Sequence, residues 1–148
     1  GPIFSMPEFP LTEIYVKEKM KEKEESLTLE LDFTKLKQIA GIEENVVPVA
    51  VQNAETGEVI IIAYVNQLAL DYTLKNNMAA FWSTSRNELW VKGATSGDVL
   101  ELVDVRVNCD QNSLVYRVIP KKENACHTNR TTCYYRKIIS NKMEFINE

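Results

Sequence analysis

Two runs of β-branched residues, 46–52 and 58–65, flank the segment Asn53-Ala54-Glu55-Thr56-Gly57. Val, Ile and Thr fit a pleated surface better than a helix, and the intervening Asn and Gly supply turn conformations, so the pair reads as a β-hairpin. A hairpin this apolar is not stable alone and must bury a face against further strands or a helix. Pro48 removes a ladder donor, which puts the first strand at an edge or gives it an irregular start. The chain then supplies partners for the hairpin. Asn66 can cap a helix that carries Leu68, Ala69, Tyr72 and Leu74 and ends at Asn76-Asn77. Strands are expected over 79–83 and 88–92, around the polar turn Ser85-Arg86-Asn87. Two more follow the break at Gly93-Ala94-Thr95-Ser96-Gly97, over 99–108 and 113–119. A last strand is expected near 133–139, after a polar loop over 121–130. One or two helices packed on a mostly antiparallel, twisted sheet make an α+β fold.

Ahead of the hairpin, Thr12 can cap a helix through Ile14, Lys17 and Met20 to about Glu25. It is made mostly of Lys and Glu, the composition of a solvated arm rather than of a core element. Asp32 or Thr34 can start a short helix through Leu36 and Ile39 that Gly41 stops. Residues 1–5, ahead of Met6, read as a cloning remnant. The sequence therefore divides into a remnant with a helical extension over 1–30 and one domain over 31–148.

A chain of 148 residues can bury a core without disulfides. A net charge of −4 argues against DNA or RNA as a partner, while local Lys and Arg can still grip a small anion. The longest apolar run, Val59–Val65, is too short to span a bilayer. No basic region followed by an apolar core opens the chain, so no membrane partner is expected and the expected compartment is the cytoplasm.

The three cysteines, Cys109, Cys126 and Cys133, all fall in the last 40 residues. An odd number does not make a disulfide framework. Gathered thiols suggest a metal or catalysis; three ordinary core thiols are the alternative. Six residues separate Cys126 from Cys133, more than the two to four of structural zinc knuckles. Three thiolates with an open fourth position would suit catalytic zinc, which keeps a water there. The one histidine, His127, adjoins Cys126. It can complete the zinc shell, act as a general base, or be a satisfied polar residue.

If the strand that reaches Cys109 stays extended, Val103, Val105, Val107 and Cys109 share one face. Asp104, Arg106, Asn108 and Asp110 share the other, with Asn112 next in phase. The apolar face is expected to meet the core, and the oxygen-bearing group to serve a different site from Cys109. Between residues 81 and 97, Arg86 and Lys92 can bind phosphate. Thr95, Ser96 and Gly97 offer hydroxyls and close backbone approach, and Trp82 and Trp90 offer stacking faces. A surface hairpin with solvated charges and two core tryptophans is the plainer alternative.

Read together, these segments resemble the phosphoribosyl-AMP cyclohydrolase family. The carrying motifs are Phe81-Trp82-Ser83-Thr84-Ser85-Arg86, Leu89-Trp90-Val91-Lys92-Gly93-Ala94-Thr95-Ser96-Gly97, Asn108-Cys109-Asp110-Gln111-Asn112, Ala125-Cys126-His127-Thr128 and Cys133-Tyr134-Tyr135-Arg136. The resemblance runs from about residue 46 to 137. It implies an intertwined homodimer with zinc (Zn2+) held by Cys109 of one subunit and by Cys126 and Cys133 of the other. It gives His127 acid/base work, and gives Trp82, Ser83, Arg86, Lys92, Thr95, Ser96 and Gly97 the binding of a phosphorylated purine nucleotide. The implied reaction is hydrolysis of the N1–C6 bond of the adenine ring in N1-(5-phosphoribosyl)-AMP, a step of histidine biosynthesis. No segment resembles the pyrophosphohydrolase domain often joined to this family, so that activity is expected on a separate chain.

Three departures stand out. The family's Asp-Cys-Asp-x-Asp, whose carboxylates are taken as magnesium ligands, here has Asn108, Asp110 and Asn112. Ala94 replaces the Glu of KGETSG, and Thr84 replaces an Arg of the Ser-Arg-Ser-Arg run. A magnesium (Mg2+) site on Asn108, Asp110 and Asn112 is expected to be weakened, filled only together with substrate, or lost. Two alternatives remain at this stage: an offshoot acting on another purine nucleotide, and a zinc-stabilised dimeric binding module without catalysis.

Overall fold

The computed structural model describes residues 8–146; the remnant expected over residues 1–5 lies outside them. In chain order the elements are α1 (Glu8–Glu25), α2 (Lys35–Ala40), β1 (Val47–Asn53), β2 (Val59–Val65), α3 (Gln67–Asn76), β3 (Ala80–Ser83), β4 (Glu88–Val91), β5 (Leu100–Val107), β6 (Leu114–Pro120), β7 (Arg136–Ile139) and β8 (Lys142–Phe145). They fall into two compact units. One is formed by the chain up to Glu30 and from Arg136 on, the other by Leu31–Tyr135.

The larger unit is α+β with a mostly antiparallel sheet and few helices. Its four-stranded sheet has the order β2-β1-β6-β5. The β1–β2 and β5–β6 pairs are antiparallel, and β1–β6 is parallel. The edge position suggested by Pro48 is therefore corrected: β1 lies inside the sheet. Proline is tolerated because the parallel pairing with β6 begins one residue later, at Val49↔Leu114. The β3–β4 hairpin forms a separate two-stranded sheet, with Phe81 opposite Trp90 and Trp82 opposite Leu89.

The core gathers Val49 and Val51 from β1, Ile60 and Val65 from β2, Phe81 from β3, and Tyr116 and Val118 from β6. Helix α3 closes it. Asn66 caps this helix by accepting the Ala69 amide at 2.9 Å, and Asn77 ends it in a left-handed turn with φ 53°. Thr73 ties α3 to β3: its buried hydroxyl donates to the Ala69 carbonyl at 2.8 Å and accepts the Ala80 amide at 2.9 Å. The short α2 starts at Thr34 and stops at Gly41, as the sequence suggests, but it buries none of its residues.

Two β-bulges shape the sheet. On β2, Val51 faces Ile61 and Gln52 faces Val59, which leaves Ile60 as the extra residue. On β5, Leu102 faces Val118 and Asp104 faces Arg117, which leaves Val103 unpaired. The second bulge corrects the expected run of like faces. Leu102 and Val105 both lie opposite core residues, Val118 and Tyr116, so the alternation shifts by one across Val103. Val103 and Val107 are 48% and 58% exposed, so the apolar stripe they were expected to bury meets the core mainly through Val105.

In the smaller unit, α1 begins at Glu8, ahead of the expected Thr12, and from Lys17 on its side chains are mostly exposed. Arg136 donates to the carbonyls of Lys23 and Ser26 at 2.6 and 2.8 Å, and the Met143 amide donates to Leu27. The single strand expected near 133–139 is corrected to a hairpin, β7–β8, that begins only at Arg136. No helix among the described residues is long and apolar enough to cross a membrane.

Replacing Thr73 by Val keeps the volume but strands the buried Ala80 amide. It should cost about 1–3 kcal/mol in urea-induced unfolding. Burial also pushes the Tyr116 phenol above its ordinary 10.0, against a smaller lowering by its hydrogen bond with Thr73. Stability from this group is complete below pH 10.0 and is lost as the pH rises through the folded-state value. Tyr116→Phe should flatten that alkaline decline in a pH series of melting temperatures.

Candidate functional site

The thiols of Cys126 and Cys133 stand 3.4 Å apart. Each is held there by a different device. Cys126 opens a tight turn: its amide donates to the Arg130 carbonyl at 2.8 Å, and its carbonyl accepts the Asn129 amide at 2.9 Å. Asn129 takes φ 64°, a conformation that Asn tolerates better than most residues. Ala125, just before, is buried in the core and anchors the turn. Cys133 is fastened to the β2 bulge, where its amide donates to the Ile60 carbonyl at 2.8 Å. Thr132 adds a hydroxyl bond to the Val59 carbonyl at 2.7 Å. These bonds occupy residues 132 and 133 and explain why no strand starts there. Arg130 stacks over the Tyr135 ring at 4.0 Å from its centroid.

The sulfur of Cys126 also accepts the Thr128 hydroxyl at 3.2 Å. Disulfide sulfurs lie about 2.05 Å apart, so this pair is unbonded. Two sulfurs bound tetrahedrally at about 2.3 Å from a zinc ion stand roughly 3.8 Å apart, close to the spacing here. The pair therefore fits two corners of a thiolate metal site. Beside Cys133, burial chiefly pushes the Tyr134 phenol up; the charges of Cys133 and Tyr64 add to this, against a hydrogen bond with the Ile62 backbone.

A recess of about 270 Å³ opens next to the thiols, lined by Asp98, Lys122, Glu123, Cys126, His127 and Asn129. His127 is exposed on the turn that begins at Cys126. On the other wall is the loop over residues 93–98. Gly93 has φ 78°, and a Cβ there would fall 2.2–2.5 Å from the backbone of Asp98 and Val99. The loop folds that tightly only because residue 93 lacks a side chain. Lys122 joins loop and recess by donating to the Ser96 carbonyl at 3.0 Å and pairing with Asp98 at 3.6 Å.

Of the remaining substrate-binding candidates, Trp82, Ser83 and Arg86 sit on the β3–β4 hairpin, Lys92 directly follows β4, and Thr95 and Gly97 lie on the 93–98 loop. The Arg86 guanidinium lies 3.4 Å from the Ser83 hydroxyl and 3.4 Å from Glu88. Asn87 accepts the Trp82 indole N–H at 3.0 Å. Trp90 packs on Phe81 with ring centroids 5.3 Å apart, so it serves the core. Thr84, the departure from the resemblance, is buried and accepts the Lys35 ammonium at 3.2 Å.

The structure thus brings Cys126, Cys133 and His127 together and joins Ser96 to them through Lys122. It does not bring in Cys109, which is exposed on the turn after β5. Among the described residues, no three His, Cys, Asp or Glu of one chain converge on a cation. The expected extended phase from Asn108 to Asn112 is corrected as well: the strand ends at Val107, and Gln111 turns at φ 55°. Asn108 and Asn112 bond to each other at 2.7 Å, and Asn108 Oδ1 accepts the amides of Asn112 and Ser113 at 2.9 and 3.0 Å. Both lone pairs of that oxygen are engaged, so the three residues do not fit a magnesium site as folded. Thr132 carries no signal in the sequence, and Thr128 stands out there only as the last residue of the Ala125-Cys126-His127-Thr128 motif. For Lys122, the Lys121-Lys122 pair in an otherwise polar loop is the one available signal, and it has no fixed spacing to either motif.

Residues 61–135 match the family described as Phosphoribosyl-AMP cyclohydrolase. The phosphoribosyl-AMP cyclohydrolase of Archaeoglobus fulgidus is 44% identical over 96 residues, covering 65% of this chain and 88% of that protein. That of Desulfatibacillum aliphaticivorans is 37% identical over 120 residues, covering 81% and 90%. The histidine biosynthesis bifunctional protein HisIE of Aquifex aeolicus is 42% identical over 102 residues, covering 69% of this chain. The match covers 50% of that bifunctional relative, so the chain spans about half of its length.

Gly93→Ala should be costly, because both the left-handed φ and the contact with Asp98 and Val99 oppose a Cβ. A loss of about 1–3 kcal/mol in unfolding free energy is expected, with faster proteolysis within residues 93–98.

Proposed function

The chain belongs to the phosphoribosyl-AMP cyclohydrolase family, and from that premise we propose that it hydrolyses the N1–C6 bond of the adenine ring in N1-(5-phosphoribosyl)-AMP, as a zinc-dependent homodimer acting in histidine biosynthesis. The single observation that carries the zinc part is the 3.4 Å separation of Cys126 and Cys133 beside a recess that also holds His127. Two thiolates are one short of the three that leave catalytic zinc an open position. Cys109 is the remaining thiol, exposed at the end of the edge strand β5, where a second copy of the chain can offer it. The exposure of Val103 and Val107 beside it supports a covered face there.

The work of the chain's own groups is assigned from their chemistry and the family membership. Ser96 and Gly97 present hydroxyl and backbone to a phosphate, and Lys92 and Arg86 add charge. The half-buried Trp82, its indole held by Asn87, offers a face to the base. Quaternisation at N1 makes C6 electrophilic. His127 takes a proton from the water that attacks C6 and returns it to N1 as the N1–C6 bond breaks. The water oxygen ends as the carboxamide oxygen. Zinc, when bound, supplies Lewis-acid activation of water near neutral pH. The proposal includes the cytoplasm as compartment, where thiols are kept reduced and available to a metal.

The test is an ultraviolet assay of purified protein on phosphoribosyl-AMP, with metal analysis. Turnover comparable to that of the named cyclohydrolases is expected; none on this substrate, with turnover on another purine nucleotide, would favour an offshoot. His127→Ala should lower kcat by about 10²–10⁴-fold with zinc retained. If His127→Ala left every activity unchanged, a non-catalytic binding module would be the better reading. Cys126→Ser should lose zinc, dimer and activity together.

A further inference from the structure

The turn between β5 and β6 is held by side chains rather than by its backbone alone. Val107 pairs with Leu114, the last pair of the ladder, and the Asn108 amide donates to the Ser113 carbonyl at 3.2 Å. Beyond it, the four residues 109–112 must reverse while presenting Cys109 outward. The Asn108 side chain does this from both ends. Its Oδ1 accepts the backbone amides of Asn112 and Ser113, and its Nδ2 donates to Asn112 Oδ1 at 2.7 Å, the shortest of the three bonds. Gln111 completes the reversal with φ 55°, its amide bonded to the Asn108 carbonyl at 3.1 Å. Asp110 is the only carboxylate of the turn and is exposed.

From this geometry we propose that Asn108 and Asn112 are positioning residues. Their amide clamp fixes the turn that presents Cys109, and it does so without a divalent cation. A carboxylate pair facing at this distance would repel and would need a hard cation between its oxygens. Here the neutral amide supplies a donor where a carboxylate has none, so the two side chains satisfy each other directly. A cation ligand at Asn108 would have to surrender two backbone hydrogen bonds. The proposal rests on the reading above only in taking Cys109 as a metal ligand.

Two measurements test it. The first is the melting temperature with and without magnesium chloride, and it needs no thiolate. The parent should not shift, whereas Asn108→Asp combined with Asn112→Asp should melt lower alone and rise by roughly 4 °C with magnesium at about ten times its Kd. A parent that rises by a similar amount, and loses the rise on Asp110→Asn, overturns the proposal. The second is the thiolate-to-cobalt charge-transfer absorbance of the cobalt-substituted protein. Asn108→Ala should lower it toward the level of Cys109→Ser, and Asn108→Asp, which keeps both amide acceptors, should restore most of it. Full parental absorbance in Asn108→Ala beside a reduced one in Cys109→Ser also overturns the clamp. Full absorbance in Cys109→Ser would instead count against the metal reading, and the magnesium measurement then decides the clamp by itself.

Discussion

The carbonyl of Ile60 ties the second thiol to the sheet. It is free to do so because β2 is the edge strand of its sheet, and Ile60 is the residue that its bulge leaves without a β1 partner. The freed acceptor takes the Cys133 amide at 2.8 Å and lies 3.2 Å from the Thr132 hydroxyl. The Ile60 side chain meanwhile stays 1% exposed in the core. One residue thus couples the packed interior to the second thiol. An unpaired buried carbonyl costs about 1–3 kcal/mol, so the outer edge of β2 and the thiol segment stabilise each other.

The rest of the site follows the same economy, in which short polar side chains replace backbone pairing. Thr128 reaches the Cys126 sulfur, Asn124 reaches Asn129, and Asn108 reaches Asn112. Left-handed residues stand at each reversal: Asn87 between β3 and β4, Gln111 between β5 and β6, and Asn129 after Cys126. Asn visits that region with little strain, and the side chains of Asn87 and Asn129 also accept hydrogen bonds there, so one residue both turns the chain and pins the turn. Functional groups therefore sit on turns whose shape is set within five or six residues, while the sheet beneath supplies rigidity.

Local signals were legible in the sequence, and those that depend on a partner strand were not. The β1–β2 hairpin, the Asn66 cap and the left-handed Asn77 are set by residues adjacent in the chain, and they stand where the pattern puts them. Pro48 misled because an interior strand tolerates proline where its pairing has not yet begun, and only the register with β6 reveals that. The period-2 rule failed across residues 103–112 for two reasons. A bulge at Val103 moved the phase, and the rule does not contain the point at which a strand stops. At the thiols, the gathering of the cysteines and the family resemblance pointed to a shared site, and Cys126 and Cys133 do meet. The third thiol could not be placed, because no residue near Cys109 in the sequence fixes what covers it.

That asymmetry has a physical consequence. Two sulfurs stand 3.4 Å apart with a hydroxyl donor on one of them, and under the proposed reading they are one chain's share of the metal site. The chain builds it entirely from contacts within Leu31–Tyr135. The turn at Cys109 is closed by its own hydrogen bonds and exposed, and it follows a strand whose Val103 and Val107 are exposed as well. Each half is pre-formed, so bringing a second copy against β5 would order little new backbone and lose little conformational entropy. Under the proposed reading, metal and dimer then form in one step. A cation held by ligands from both chains adds its binding energy to whatever apolar area the β5 face buries, and neither half needs to be stable as a metal site alone.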